Sequence, residues 1–161
     1  QPKNALEEIE FVGKLHLVLD GIQDPGNMGT IVRLSDWFGI QHVFCSPDTA
    51  DIFNPKTVQA TMGAIARVNV HYVDLKDLLT RNNSLPVFGT LLEGENIYKA
   101  ELPKNGFIVM GNEGKGISPD IQKLITHKLF IPNYPTNSQT SESLNVAVAA
   151  AIVCSEFRRR V

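Results

Sequence analysis

Short apolar runs alternate with helical patterns along nearly the whole chain, and this alternation constrains the fold more than any other feature. LHLVLD (15–20), HVFCS (42–46), VNVHYV (68–73), PVFGTLL (86–92), GFIVMG (106–111) and KLFIP (128–132) read as strands. Between and after them, GNMGTIVRLSDWFG (26–39), PKTVQATMGA (55–64), a short stretch around 74–80 and SPDIQKLI (118–125) read as helices, with a long final helix from about Ser143. Gly39 ends the first of these, and Pro55 suits the first turn of the second. Ser118 as N-cap with Pro119 behind it marks the start of the fourth. Strands separated by helices predict an α/β fold with a mostly parallel sheet and helices on both faces.

A chain of 161 residues is long enough for one domain with a substantial core, and 43% hydrophobic with 20% charged residues is ordinary globular composition. No apolar run approaches the ~20 residues that span a bilayer, and no signal-peptide pattern opens the chain. Cys45 and Cys154 form no C-x-x-C pair and read as buried reduced thiols of a cytoplasmic protein. His16, His42, His71 and His127 lack metal-ligand spacing, so no metal site is expected. The formal net charge of −2 leaves no basic footprint for nucleic acid except Arg158, Arg159 and Arg160, which read as a solvated helix end. Residues 1–12 are polar and open without a strand pattern; they are expected to be a linker tail ahead of a domain at 13–161.

In parallel α/β sheets, ligands bind where strands run out into loops that start helices. Three loops carry Gly, Asn or Ser where a plain connector need not. In GNEGKGIS (111–118) the glycines permit close approach of a ligand to the backbone. The loop is not a Walker phosphate loop, because Gly114-Lys115 is followed by Gly116 and position 109 is Val. Nor does its G-x-x-G-x-G spacing match the Rossmann fingerprint. Its lone carboxylate, Glu113, is the unexpected group. In DPGNMGTIVR (24–33), Asn27 is suited to capping the following helix or to facing a polar site with Arg33, whose planar fork suits phosphate. The third loop runs from Ile131-Pro132 to Ser143-Leu144-Asn145, and Ser143 is placed to cap the last helix. Ala147, Ala149, Ala150 and Ala151 in that helix suit close packing.

Taken together, DPGNMGTIVR, MGNEGKGIS and IP…SESLNVAVAAAI resemble the three signature motifs of the SpoU (TrmH-like) RNA 2′-O-ribose methyltransferases, over roughly residues 15–157. That resemblance implies a carboxyl-terminal deep trefoil knot, a homodimer, and S-adenosylmethionine as cofactor. It implies methyl transfer to a ribose 2′-hydroxyl of rRNA or tRNA, with an inactive RNA-binding protein of the same fold as the alternative. By matching position, Asn27 and Arg33 would form the catalytic group, supported by Glu113, Ser143 and Asn145. The methyl-donor pocket would take Gly89, Thr90, Leu91, Gly111, Asn112, Glu113, Gly114, Ile131, Ser143, Leu144 and Asn145. The spacer NYPTNSQTSE departs from the family pattern, being longer and without glycine.

Overall fold

The computed structural model describes residues 6–136, 138–139 and 143–160. All six expected strands form: β1 (Leu15–Asp20), β2 (His42–Cys45), β3 (Asn69–Tyr72), β4 (Val87–Asn96), β5 (Gly106–Gly111) and β6 (His127–Phe130). They build one sheet in the order β3-β2-β1-β5-β4-β6, and every pairing is parallel. The helices are α1 (Pro25–Trp37), α2 (Pro55–Thr61), α3 (Leu75–Arg81), α4 (Pro119–Gln122) and α5 (Val146–Arg159), with a 3-10 turn at Ala64–Ala66 after α2.

The pleat explains why both faces are covered. Along β1, Leu15, Leu17 and Leu19 enter one core with Met28, Ile31 and Val32 of α1 and Ala150, Val153 and Phe157 of α5. Val18 points the other way, into a second core with Phe44, Phe107, Val109 and the leucines of α3. Leu6, Ile9 and Phe11 of the amino-terminal stretch are partly buried against that second core, and Phe11 stacks on Phe44 at 5.7 Å.

Several boundaries move for identifiable reasons. The cap of α1 is Asp24, not Asn27: its Oδ1 accepts from the Asn27 amide at 2.9 Å. The cap of α5 is Asn145, not Ser143, and its side chain accepts from the Ala147 and Val148 amides. Ser118 stands at the head of α4 without a side-chain capping bond; its amide donates to Asp20 Oδ2 at 2.7 Å. Strand β4 runs on to Asn96 because Gly94 lies directly on the Leu129 backbone, where a Cβ would meet the carbonyl carbon at 2.5 Å.

The terminal arginines are not a solvated cluster. Arg158 donates to the Phe38 and Gly39 carbonyls at 2.7 and 3.2 Å, satisfying the end of α1. Arg160 donates to the carbonyls of Ile97, Tyr98 and Ala100 and to Glu156. These side chains tie α5 to the rest of the fold.

Helix α1 crosses α2 at Gly29, where a Cβ would stand 2.4 Å from Ala60 Cβ and 2.6 Å from the Thr57 carbonyl. Gly29→Ala is therefore expected to force the helices apart and to destabilise by about 1–3 kcal/mol, despite the better helix propensity of alanine. Urea unfolding checks this; an unchanged midpoint would contradict the close crossing.

His16, His42 and His71 line up across the neighbouring strands β1, β2 and β3, with His42 Nδ1 and His71 Nε2 at 3.0 Å. Desolvation holds all three below the ordinary 6.5, and pushes His71 to about 4. Because the folded values lie below the unfolded ones, the unfolded chain binds more protons as pH falls from about 6.5 to about 4. Stability is therefore expected to be full above that window and to decline through it, and H71F should flatten the decline measured by urea midpoints.

Candidate functional site

The three loops singled out in the sequence meet at the carboxyl ends of β1 and β5 and at the amino terminus of α5. The glycine loop after β5 is built first from its own backbone. Asn112 and Gly116 exchange both backbone hydrogen bonds, at 3.0 and 2.9 Å. Asn112 Oδ1 accepts from the Gly114 and Lys115 amides at 2.9 Å each, and Asn112 Nδ2 donates to the Gly21 carbonyl at 2.7 Å. Gly111 is required because a Cβ there would sit 2.4 Å from Gly116 C and Ile117 N. The loop is thus folded back on itself and pinned to the loop after β1.

That arrangement presents Glu113 to the neighbouring loop. Its Oε2 accepts from the Gln23 amide at 3.3 Å, and its Oε1 from the Asp24 amide at 3.2 Å and from Asn27 Nδ2 at 3.4 Å. Asn27 Oδ1 in turn accepts from Asn145 Nδ2 at 3.0 Å. The network fixes the orientation of both amides. Asn145 Oδ1 must face the α5 amides it caps, so Nδ2 donates to Asn27; Asn27 then has only its own Nδ2 to offer the carboxylate. Because Asp24 caps α1, the Asn27 side chain is free to make this link. A chain Glu113–Asn27–Asn145 therefore joins residues separated by 86 and 118 positions.

The other expected residues lie around this chain in different ways. Arg33 is exposed on the outer side of α1 with Gly26 and Thr30, and no hydrogen bond or ion pair holds its guanidinium among the described residues. It lies six residues, ~9 Å, along α1 from Asn27, so the structure does not bring it into the hydrogen-bonded chain. Ser143 and Leu144 are exposed just ahead of Asn145. Thr90 and Leu91 on β4, Gly111 at the end of β5 with Asn112 just beyond it, and Ile131 just after β6 are half-buried, on or next to three adjacent strands. Gly89 is buried, and the space a side chain would take is filled by Ile125 at 2.4 Å and Ile117 at 3.2 Å. Its glycine serves packing and leaves only backbone for a ligand. Part of the long spacer, 137 and 140–142, lies outside the described residues.

Sequence reading missed Asp24, Gln23 and Asp20 as the groups that set this geometry. The signal for Asp24 was present, since Asp followed by Pro is a helix-start pattern. Among the described residues no group of three or more His, Cys, Asp or Glu is arranged to hold a metal, and no helix is long and apolar enough to cross a membrane.

Fold and site define the class: a parallel α/β protein with polar, glycine-shaped loops meeting at the carboxyl ends of its central strands, where such sheets bind ligands. The SpoU rRNA Methylase family profile matches residues 14–155, and the chain belongs to that family. It is 34% identical over 146 residues to the 23S rRNA (guanosine(2553)-2′-O)-methyltransferase RlmP of Bacillus subtilis, covering 88% of this chain and 57% of that protein. It is 33% identical over 152 residues to the 23S rRNA (guanosine-2′-O-)-methyltransferase RlmB of Neisseria meningitidis, covering 91% and 58%. Among solved structures, one assigned to the TrmH family of RNA methyltransferases, from Porphyromonas gingivalis, is 49% identical with a TM-score of 0.85, covering 93% of this chain and 61% of that one. The AdoMet-bound rRNA methyltransferase of Sinorhizobium meliloti superposes with a TM-score of 0.87 at 28% identity, covering 97% and 60%. The chain thus spans little more than half the length of these relatives.

Proposed function

We propose that this chain is the catalytic part of an enzyme that methylates a ribose 2′-hydroxyl of RNA, using S-adenosylmethionine. The observation that carries the reading is the Glu113–Asn27–Asn145 chain, which gathers all three motifs at one strand edge. The relatives named as 23S rRNA guanosine 2′-O-methyltransferases favour rRNA over tRNA as the substrate.

The residues present fit the cofactor. Glu113 is the one ionised side chain in the hydrogen-bonded chain, and the remaining members are neutral amides, which suits a cationic sulfonium. Thr90, Leu91, Gly111, Asn112, Gly114, Ile131, Ser143 and Leu144 would hold it through backbone and apolar contacts. When bound, it supplies an electrophilic methyl group. A ribose hydroxyl is a weak acid, so attack needs charge stabilisation on the oxygen. A guanidinium is a cation with a planar donor fork, and Arg33 acts by holding RNA phosphate and stabilising the developing alkoxide. Asn27 orients the hydroxyl, with Glu113 and Asn145 fixing its amide; Ser143 donates from the rim.

The same reading includes a dimer and a knot, in a cytoplasmic protein. Trp37 on α1 is 84% exposed and Val148 on α5 is 49% exposed, and exposed apolar side chains on these two packed helices support contact with a second copy. The return of the chain from edge strand β6 to α5, packed against α1, supports the threading. Titration calorimetry of the full-length protein with S-adenosylmethionine tests the site: saturable one-to-one binding is expected, and no binding would sink the reading. Sedimentation velocity tests the dimer, which a monomer at all concentrations would exclude.

A further inference from the structure

Phe53 sits beside the site and is 75% exposed, although its loop is firmly held. Its amide donates to Asp51 Oδ1 at 2.9 Å, and the preceding Ile52 amide donates to the Tyr72 hydroxyl at 2.8 Å. Tyr72 in turn donates to the Ala50 carbonyl at 2.6 Å. Asn54 caps α2 directly after it. The loop also abuts the catalytic one. The Ala50 amide donates to the Ile22 carbonyl at 2.7 Å, one residue before the amides that Glu113 accepts from. Ser46 Oγ accepts from the Gly21 amide at 2.8 Å. Beyond Phe53 the chain runs alongside α1, as the contacts of Thr57 and Ala60 with Gly29 and of Arg67 with Asp36 show. A solvent-facing ring on a hydrogen-bonded stretch of backbone is thereby presented on the side of the amino-terminal half of α1.

The charges around it complete the pattern. Lys56 and Arg33 are exposed, with no hydrogen bond or ion pair to their side chains among the described residues. The local carboxylates are engaged within the loop, Asp51 by the Phe53 amide and Asp48 by the Ser46 hydroxyl. An exposed aromatic side chain with exposed cations on the adjoining helices α1 and α2 is the kind of arrangement on which unpaired nucleobases stack. We infer that Phe53 is a stacking platform for an unpaired base next to the ribose that is methylated, with Lys56 and Arg33 on the flanking phosphates. The inference rests on the proposed RNA substrate and adds to it a specificity element: the target lies in an unpaired segment.

The test uses full-length protein and an unmodified transcript of the cognate 23S rRNA. F53A is expected to weaken RNA binding about tenfold, within the range that alanine substitution of a stacking residue produces, and to leave S-adenosylmethionine affinity unchanged. F53Y should restore binding, and F53L, apolar but not aromatic, should not. In a second measurement F53W is placed in a W37F background, which removes the one tryptophan of these 161 residues, and its emission is read as the difference from W37F alone. RNA should then quench the fluorescence of the introduced indole. If F53A binds RNA as wild type does, or RNA binds without quenching, the stacking role is wrong while the methyltransferase reading stands. Emission already blue-shifted without RNA would show that another part of the protein, or a second copy, covers the ring, and would also overturn it. Failure of the wild-type protein to bind rRNA would remove the substrate reading and this inference with it.

Discussion

Arg33→Ala is expected to lower methyl transfer by at least ~10²–10³-fold, the scale on which loss of one charge-stabilising donor acts, while S-adenosylmethionine binding stays nearly intact. The prediction follows from position. Arg33 stands on the outer side of α1, away from the Glu113–Asn27–Asn145 chain and from the strands that would hold the donor. Its removal therefore leaves the donor site's hydrogen bonds in place and takes away the cation that faces RNA. Single-turnover transfer from radiolabelled donor, with calorimetry beside it, separates the two effects. Full turnover by the variant would remove Arg33 from the mechanism. Loss of donor binding together with turnover would place Arg33 in the donor site instead. Arg33→Lys should recover only part of the rate, because a point charge replaces a planar fork.

Glu113→Ala is expected to be nearly as damaging, by a different route. The carboxylate gathers the Gln23 and Asp24 amides and the Asn27 side chain, so one substitution removes three bonds between the loop after β1 and the glycine loop and leaves the Asn112–Gly21 bond in place. Turnover should fall ~10²-fold or more as the Asn27 amide loses its fixed orientation. Stability should fall by only about 1–2 kcal/mol, since these bonds are exposed and water can replace them. Glu113→Gln, which keeps an acceptor oxygen, should lie between the two proteins in both measurements. A variant that unfolds outright, or one that turns over normally, would contradict the role of Glu113 as the link between the loops.

Much of this architecture was legible in the residues. The apolar runs located all six strands, because in a sheet covered on both faces even the alternating residues are apolar. Helix starts were harder, because several residues near each start are able to cap. Asn145 rather than Ser143 caps α5, and Asp24 rather than Asn27 caps α1. The consequence is functional: each displaced cap changes which side chain is left to face the site. The motifs marked Asn27, Glu113 and Asn145, yet only the fold shows that they touch, since contacts across 86 and 118 positions leave no local pattern. Gly89 and Arg158–Arg160 show the converse limit. The family resemblance placed Gly89 in the donor pocket, and the fold shows Ile125 and Ile117 packed where its side chain would stand. Three arginines at a chain end suggested a solvated cluster, but Arg158 and Arg160 satisfy backbone carbonyls of other elements.

The central claim is that these three motifs form one methyl-transfer site for RNA. Its most direct test is mass spectrometry of nuclease-digested rRNA transcript after incubation of the full-length protein with S-adenosylmethionine. A single ribose-methylated nucleotide, absent without donor and absent with Arg33→Ala, is the predicted result. Methylation on a base, or no methylated product from rRNA or tRNA, would contradict the account.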